Sequence, residues 1–138
     1  MKMKVSLDTS TIVDIDRGKV SIRHFIDHDV FISSVVAAEV FTGTHLRTDR
    51  KAATNKARKL LSLFEIIPLD MKISEITGKI NACLISNGMP VDFEDSVIAA
   101  TFIHKKGDVL VTNNLKHFKR IPEISDKVLT VEDFVKSV

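Results

Sequence analysis

Short apolar segments alternate regularly with longer amphipathic segments along this chain. The apolar segments are brief and rich in β-branched residues, a pattern typical of buried strands. We predict strands at Lys4 to Leu7, Val30 to Ile32, Glu65 to Pro68, Asp108 to Thr112 and, from a weaker pattern, Lys127 to Leu129. Strands this short and apolar need helices to cover them, because a parallel sheet is buried on both faces.

The segments between these strands carry apolar residues at helical spacing. The predicted helices cover residues 10–16, 20–27, 35–45, 49–63 and 71–86, then a segment opened by Asp92 and closed by Gly107, and a short helix from about Thr130. Ser33, Ser34 and Asp70 precede helices and are good N-cap residues. Strands and helices therefore alternate along the whole sequence.

Alternating strands and helices predict parallel strand pairing through right-handed crossovers. We therefore expect an α/β fold, a three-layer α/β/α sandwich with a short, mainly parallel sheet of roughly four to five strands. The prolines are scattered and no repeat or linker is present, so residues 1–138 are expected to form one domain. In such sheets the functional crevice lies at the carboxyl ends of the strands.

Composition narrows the class of protein. Hydrophobic residues at 44% and charged residues at 28% argue against a disordered chain. No uncharged run approaches the roughly 18 residues that a membrane span needs, so a cytoplasmic protein with no membrane partner is expected. The net charge of +2 does not by itself indicate nucleic-acid binding, and the absence of Tyr and Trp excludes a dense aromatic platform for bases. Cys83, the only cysteine, has no partner for an internal disulfide and is expected to pack in the core.

Three acidic residues stand where this fold would bring them towards one point. Asp8 ends the first strand, Glu39 lies early in the helix after the second strand, and Asp95 lies near the start of the helix before the fourth strand. Carboxylates packed together repel one another unless a cation neutralises them. Because carboxylate oxygens favour Mg²⁺ or Mn²⁺, and such ions activate water for attack on a phosphodiester, we expect phosphodiester hydrolysis.

The same acids have structural explanations that stay open at this point. Asp8 is followed by hydroxyl residues, which is typical of a helix cap. Asp92 and Asp95 have the spacing of a capping box. Glu39 is harder to explain in this way, because its neighbours are apolar and an unpaired buried acid is costly.

Neutral and basic side chains accompany the acids. Thr112, Asn113 and Asn114 follow the fourth strand, where they are suited to position a water or a phosphate, and Ser10 is a candidate contact behind the acids. Basic residues cluster at Arg47, Arg50, Lys51, Lys56, Arg58 and Lys59, and again at Lys116, His117, Lys119 and Arg120. Such clusters are usually solvated helix faces, although the second is also placed to contact phosphate.

Particular stretches of the chain combine into a family pattern. They are SLDTSTIVDI, SSVVAAEVFTG, DFEDSVIAATFIHKKGDVLVTNNLKHF and the terminal IPEI. In order and spacing they resemble the PIN-domain ribonucleases, in particular the VapC-type toxins of prokaryotic toxin-antitoxin pairs. The resemblance implies a PIN sandwich over nearly the whole chain, a Mg²⁺ or Mn²⁺ cofactor, an RNA substrate and a homodimer. It places the family's metal-binding acids on Asp8, Glu39 and Asp95, and its T-x-[ND] position on Thr112 and Asn114.

The chain departs from this pattern at two positions. Asn114 stands where many members of the family have a fourth Asp, which leaves a second metal open. His117 stands before Phe118 where the family often has an acid. The resemblance also implies a small antitoxin protein as partner, and we expect an exposed apolar groove for it at Ile22, Phe25 and Ile26.

Other functions stay open. A catalytically silent PIN-like module that binds RNA or a protein through the same sheet edge would fit Asn114 in place of an acid. Receiver and haloacid-dehalogenase domains, which transfer phosphoryl groups, also place an Asp after the first strand. The haloacid-dehalogenase type needs a second Asp where Ser10 stands, and a receiver usually has an acid pair before its phosphorylated Asp.

Overall fold

Five parallel strands form a single sheet in the computed structural model, which describes residues 2–138. The strands are β1 (Lys4–Leu7), β2 (Asp29–Ser33), β3 (Glu65–Ile67), β4 (Val109–Val111) and β5 (Val128–Leu129). Their order is β3-β2-β1-β4-β5, and every neighbouring pair is parallel. The predicted α/β fold is confirmed, and each end of each strand falls within one residue of its predicted position.

Helices connect the strands and follow most of the predicted segments. They are α1 (Thr9–Asp16), α2 (Ser34–His45), α3 (Arg50–Leu61), α4 (Met71–Ser86), α5 (Phe93–His104), α6 (Leu115–Lys119) and α7 (Val131–Ser137). The helix predicted over residues 20–27 is wrong in extent, because this short connection back to β2 forms only a 3₁₀ turn at Ile22–His24. Helix α6 was not predicted, because its 5 residues are too few to show helical periodicity.

The centre of the sheet is β1, which lies between β2 and β4. Lys4 pairs with Asp29 on one side of β1, and Leu7 pairs with Val111 on the other. Chain connections run outwards in opposite directions from β1 and β4, so the topological switch point lies between these two strands. Parallel sheets form their ligand crevices at the carboxyl ends of the strands flanking such a point.

Phenylalanine rings fill much of the core. Phe31 of β2 stacks on Phe102 of α5 with ring centroids 6.5 Å apart, and Phe25 stacks on Phe134 of α7 at 5.5 Å. Phe25 is 0% exposed, so the prediction that it belongs to an exposed surface is wrong, although it does line a pocket together with Ile22 and Ile26. Burial of this large apolar ring stabilises the folded state, whereas the side chain of the neighbouring Ile26 is 63% exposed.

Helix α4 buries one narrow stripe of side chains. Ile73, Ile80 and Leu84 belong to that stripe, whereas Cys83 is exposed. The prediction that Cys83 packs in the core is therefore wrong, because its position lies beside the buried stripe and not within it. Within residues 2–138, no helix combines the length and the apolar composition needed to cross a bilayer.

Candidate active site

Asp8 lies at the carboxyl end of β1 and is 2% exposed. Its Oδ1 accepts hydrogen bonds from Ser10 Oγ at 2.8 Å and from the Thr11 amide and hydroxyl, each at 3.1 Å. Its Oδ2 accepts a hydrogen bond from Thr112 Oγ1 at 2.5 Å. The capping interpretation is correct, since the Thr11 bond caps α1, but the Thr112 bond connects Asp8 to a different strand.

Asp8 has no counterion in the part of the chain that the structure describes. No Lys, Arg or His among residues 2–138 forms an ion pair with it. Burial raises the pKa of Asp8, and the hydrogen bonds from Thr112, Ser10 and Thr11 offset this only in part. A buried carboxylate in this state is stabilised by a bound cation, so the residue fits a metal site.

Thr112 and the residues after it close the crevice beside Asp8. Thr112 is 0% exposed, and its hydroxyl also accepts a hydrogen bond from the Asn114 amide at 2.8 Å. The Asn113 amide donates to Ser10 Oγ at 3.0 Å, so Ser10 connects the loop after β4 to Asp8. The side chain of Asn114 is exposed at the start of α6, where it is free to contact a ligand.

Asp95 lies in the first turn of α5, with a side chain that is 15% exposed. The capping-box interpretation is wrong, because the Asp92 side chain makes no capping hydrogen bond and Asp95 Oδ2 instead contacts His117 Nδ1 at 3.2 Å. Burial raises the pKa of Asp95 to about 6; His117 opposes this shift, and the negative charges of Asp92 and Asp8 add to it. Asp8 and Asp95 are thus close enough for their charges to interact.

Glu39 is half-buried on α2. Its Oε1 accepts a hydrogen bond from Thr9 Oγ1 at 2.5 Å, and Thr9 directly follows Asp8. The acid that sequence reasoning found hardest to explain structurally therefore has one neutral donor and contacts the segment that carries Asp8.

The side chains of residues 2–138 do not form a complete set of metal ligands. No group of three His, Cys, Asp or Glu side chains in the described part of the chain is arranged to hold an ion. The prediction that Asp8, Glu39 and Asp95 share one ion therefore stays a prediction. The chemistry of the donors fits it, because hard carboxylate oxygens with interacting charges favour a hard divalent cation.

Sequence reasoning missed two contacts of the site. Thr9 holds Glu39 across 30 positions, and His117 holds Asp95 across 22 positions. The hydroxyl residues after β1 were a visible signal for the first contact, although they were interpreted as a cap. The sequence places His117 in a basic cluster and at a position where the family often has an acid, and neither feature indicates Asp95 as its partner.

Part of the first basic cluster is hydrogen-bonded to residues in or beside α1 and α3. A cavity of about 290 Å³ lies beside the end of α1, lined by Asp16, Arg17, Arg47, Asp49, Ala52, Ala53 and Lys56. Arg47 donates to both oxygens of Asp49, and Lys56 donates to the Asp16 carbonyl at 2.6 Å. All six basic side chains of the cluster are exposed, which is typical of a solvated surface.

Comparison with known proteins gives a family and close relatives. The family model of the PIN domain matches residues 5–124. The chain is 34% identical over 137 residues to a protein named Ribonuclease VapC from Rickettsia bellii, covering 94% of this chain and 97% of that protein. It is 33% identical over 128 residues to the tRNA(fMet)-specific endonuclease VapC of Salmonella typhimurium, covering 88% and 95% respectively.

Solved structures share the fold. The crystal structure of VapBC2 from Rickettsia felis bound to a promoter DNA fragment matches with a TM-score of 0.83 and 27% identity, covering 93% of this chain and 98% of that chain. The DNA-bound VapBC structure from Salmonella typhimurium matches with a TM-score of 0.82 and 28% identity, covering 93% and 98%. The predicted PIN sandwich is therefore confirmed.

Proposed function

We propose that this chain, which belongs to the PIN-domain family and within it to the VapC group, is a Mg²⁺- or Mn²⁺-dependent endoribonuclease. We further propose that it is the toxin of a VapBC-type toxin-antitoxin pair. One observation carries the catalytic proposal: buried Asp8 is joined to Thr112 at the sheet switch point, and no basic side chain among residues 2–138 forms an ion pair with it. Full-length relatives that are named ribonucleases support RNA as the substrate.

Asp8 and Asp95 are the residues proposed to hold the cation, since each offers a carboxylate that is at least partly buried. Glu39, held by Thr9, is proposed as a further ligand or as the group that orients the attacking water. When bound, a divalent cation supplies Lewis-acid stabilisation and lowers the pKa of its bound water. Thr112 keeps Asp8 in one orientation, because its hydroxyl bonds to both Asp8 and the Asn114 amide.

Contacts to RNA are proposed for Asn114 and Lys116. Lys116 is exposed and pairs with no acid in the described part of the chain, so its ammonium group is suited to bind a phosphate. Asn114 offers an exposed amide at the crevice for a phosphate or a water. Both residues lie shortly after Thr112, which follows strand β4.

A small antitoxin is the proposed protein partner. Two structural neighbours are VapBC complexes, which supports such a partner here. A pocket lined in part by Ile22, Ile26 and Leu63 is proposed as one place where the antitoxin docks, because Ile26 and Leu63 are 63% and 62% exposed. The occupant would be an amphipathic segment.

We also propose a homodimer that acts in the cytoplasm, where its RNA substrates are found. Exposed apolar residues near the end of α4 and the start of α5 support self-association: Ile85, Met89 and Phe93 are 67%, 45% and 56% exposed. Large exposed apolar side chains in one region are typical of protein interfaces.

The direct test is cleavage of RNA by the purified chain. The substrates are initiator tRNA, the class named for the Salmonella relative, and total RNA, each with Mg²⁺ or with chelator. We expect Asp8→Asn to abolish cleavage while circular dichroism shows a folded protein. The matched control is Asp126→Asn, which removes the charge of an exposed acid on the 3₁₀ turn Ser125–Lys127 and should leave cleavage unchanged.

Full cleavage in chelator, or by the Asp8→Asn variant, would contradict the proposed chemistry. Asn114 and the lack of a ready three-acid cage favour the catalytically silent module as the second candidate. A wild-type chain that binds RNA or an antitoxin, yet neither cleaves RNA nor takes up Mn²⁺ in calorimetry, would establish that module instead.

A further inference from the structure

His117 contacts Asp95 through a specific ring atom. Its Nδ1 lies 3.2 Å from Asp95 Oδ2, and the two side chains are 41% and 15% exposed. No other side chain among residues 2–138 forms a hydrogen bond with the Asp95 carboxylate. The contact therefore decides how the carboxylate of Asp95 is oriented.

The backbone around His117 is fixed on both sides. Phe118 is 0% exposed and anchors α6 in the core. Arg120 donates to the Pro90 carbonyl at 2.9 Å, and the Asn114 amide donates to Thr112 at 2.8 Å. Because packing and these hydrogen bonds fix the position of α6, they also keep the imidazole of His117 next to Asp95.

The contact divides the two oxygens of Asp95 between different roles. An ionised carboxylate only accepts hydrogen bonds, so Nδ1 of His117 is the donor and Oδ2 is the acceptor. Oδ1 of Asp95 has no hydrogen-bond donor in the described part of the chain. The side chain of Asp95 thus has one oxygen held by the protein and one oxygen left for a ligand.

A carboxylate held in this way loses less freedom when it binds an ion. The terminal torsion of an Asp side chain is broad, so an unrestrained carboxylate samples many orientations. Hydrogen bonds to metal-binding carboxylates typically contribute about 10–100-fold in metal affinity or activity.

We propose that His117 is a positioning residue of the cation site, which holds Asp95 by Oδ2 and leaves Oδ1 for the ion. This inference rests on the proposed metal-dependent function. It assigns His117 a task that differs from that of Lys116 beside it, which is exposed and forms no hydrogen bond or ion pair with Asp95.

Substitution of His117 by Asn or by Gln tests which of its two ring nitrogens is needed. In His117→Asn the amide nitrogen takes the place of Nδ1, whereas in His117→Gln it lies further out, near the place of Nε2. Calorimetric titration of the intact chain with Mn²⁺ should show about 10–100-fold weaker binding for His117→Ala and His117→Gln. Binding by His117→Asn should stay within about threefold of the wild type.

Activity provides a second readout. The loss of RNA cleavage in His117→Ala should be recovered at high Mn²⁺ concentration, which a general folding defect would not allow. The matched control is His24→Ala, an exposed histidine of the early 3₁₀ turn, which should bind Mn²⁺ as the wild type does. Circular dichroism in chelator checks that each variant is folded.

The outcomes are distinguishable. If the wild type binds Mn²⁺ and cleaves RNA while His117→Ala and His117→Gln bind Mn²⁺ equally well, the positioning role is overturned and the proposed function stands. If His117→Asn binds as weakly as His117→Gln, the role of the Nδ1 bond is overturned. A wild type that takes up no Mn²⁺ overturns the proposed function and this inference with it. If His117→Ala fails to fold, the comparison of the Asn and Gln variants still shows whether the Nδ1 bond supports Mn²⁺ binding.

Discussion

Thr112 Oγ1 donates a 2.5 Å hydrogen bond to Asp8 Oδ2, and the two residues are 104 positions apart in the chain. The bond joins the ends of β1 and β4, the two central strands that flank the switch point. Both residues are buried, so the bond lies at the floor of the crevice and not on its rim. The acid on which the proposed chemistry depends is therefore held from the opposite half of the sheet.

Removing the hydroxyl of Thr112 should impair both folding and cleavage. In Thr112→Val the shape is kept, but Asp8 Oδ2 loses a donor and the Asn114 amide loses an acceptor. We expect a loss of about 1–3 kcal/mol in the free energy of unfolding, measured with urea, together with reduced cleavage. Thr112→Ser, which keeps the hydroxyl, is the control and should retain most cleavage. A Thr112→Val variant that is no less stable and no less active than Thr112→Ser would contradict the proposed role of the bond.

Ser10→Ala should have a milder effect than Thr112→Val. Ser10 Oγ donates to Asp8 Oδ1, but the Thr11 backbone N–H and hydroxyl donate to the same oxygen. The Asn113 backbone N–H also loses its acceptor, but this bond is exposed and water can replace Ser10. We expect a loss of about 0.5–1.5 kcal/mol in unfolding free energy and cleavage that persists at a reduced rate. Urea unfolding and cleavage assays run beside those for Thr112→Val test this ranking, and a reversed order would contradict it.

Asp95→Asn should stabilise the metal-free protein at neutral pH. The folded pKa of Asp95 is raised from 3.8 to about 6, so its favourable contribution to stability is complete below pH 3.8 and is lost as pH rises through about 6. At pH 7 in chelator the variant should be more stable than the wild type by roughly 1–3 kcal/mol, and the difference should vanish near pH 3. Added Mn²⁺ should stabilise the wild type alone. Urea midpoints at both pH values measure this, and a less stable variant at pH 7 would contradict the stated burial cost.

Asn114→Asp should strengthen cation binding. The backbone N–H of Asn114 donates to Thr112, which bonds to Asp8, so position 114 lies at the crevice and the variant adds a carboxylate near the existing acids. Coulomb attraction predicts roughly tenfold tighter Mn²⁺ binding, measured by calorimetry, with or without a second ion. Asn114→Ala removes the side-chain amide and keeps the backbone N–H, so it serves as the control and should not tighten binding. Unchanged affinity in Asn114→Asp would place this position outside the site.

Substitutions of Phe25 and Ile26 should have different effects, the first on stability and the second on antitoxin binding. Phe25→Ala removes a ring that is 0% exposed and stacked on Phe134, so we expect a loss of about 3–5 kcal/mol in unfolding free energy. Ile26→Ser changes a side chain that is 63% exposed and should alter stability by about 0.5 kcal/mol or less. Ile26→Ser should instead weaken copurification with the antitoxin, and normal complex formation would remove Ile26 from the docking surface.

The sequence by itself determined the strands, most of the helices and the position of the acids along them. Short β-branched segments are recognisable locally because burial of both faces of a parallel sheet demands them, so all five strands were predicted within one residue. Asp8 and Thr112 were assigned to the crevice because each directly follows a predicted strand. That inference needs only the rule that parallel strands share one carboxyl edge.

Tertiary structure alone decided which side chains meet. The bonds from His117 to Asp95 and from Thr9 to Glu39 join residues far apart in the chain, so no local pattern predicts them. The burial of Phe25 and the exposure of Cys83 were also set by packing, since periodicity does not reveal which neighbours cover a side chain. Composition and spacing act over a few residues, whereas hydrogen bonds and burial depend on the folded arrangement of the whole chain.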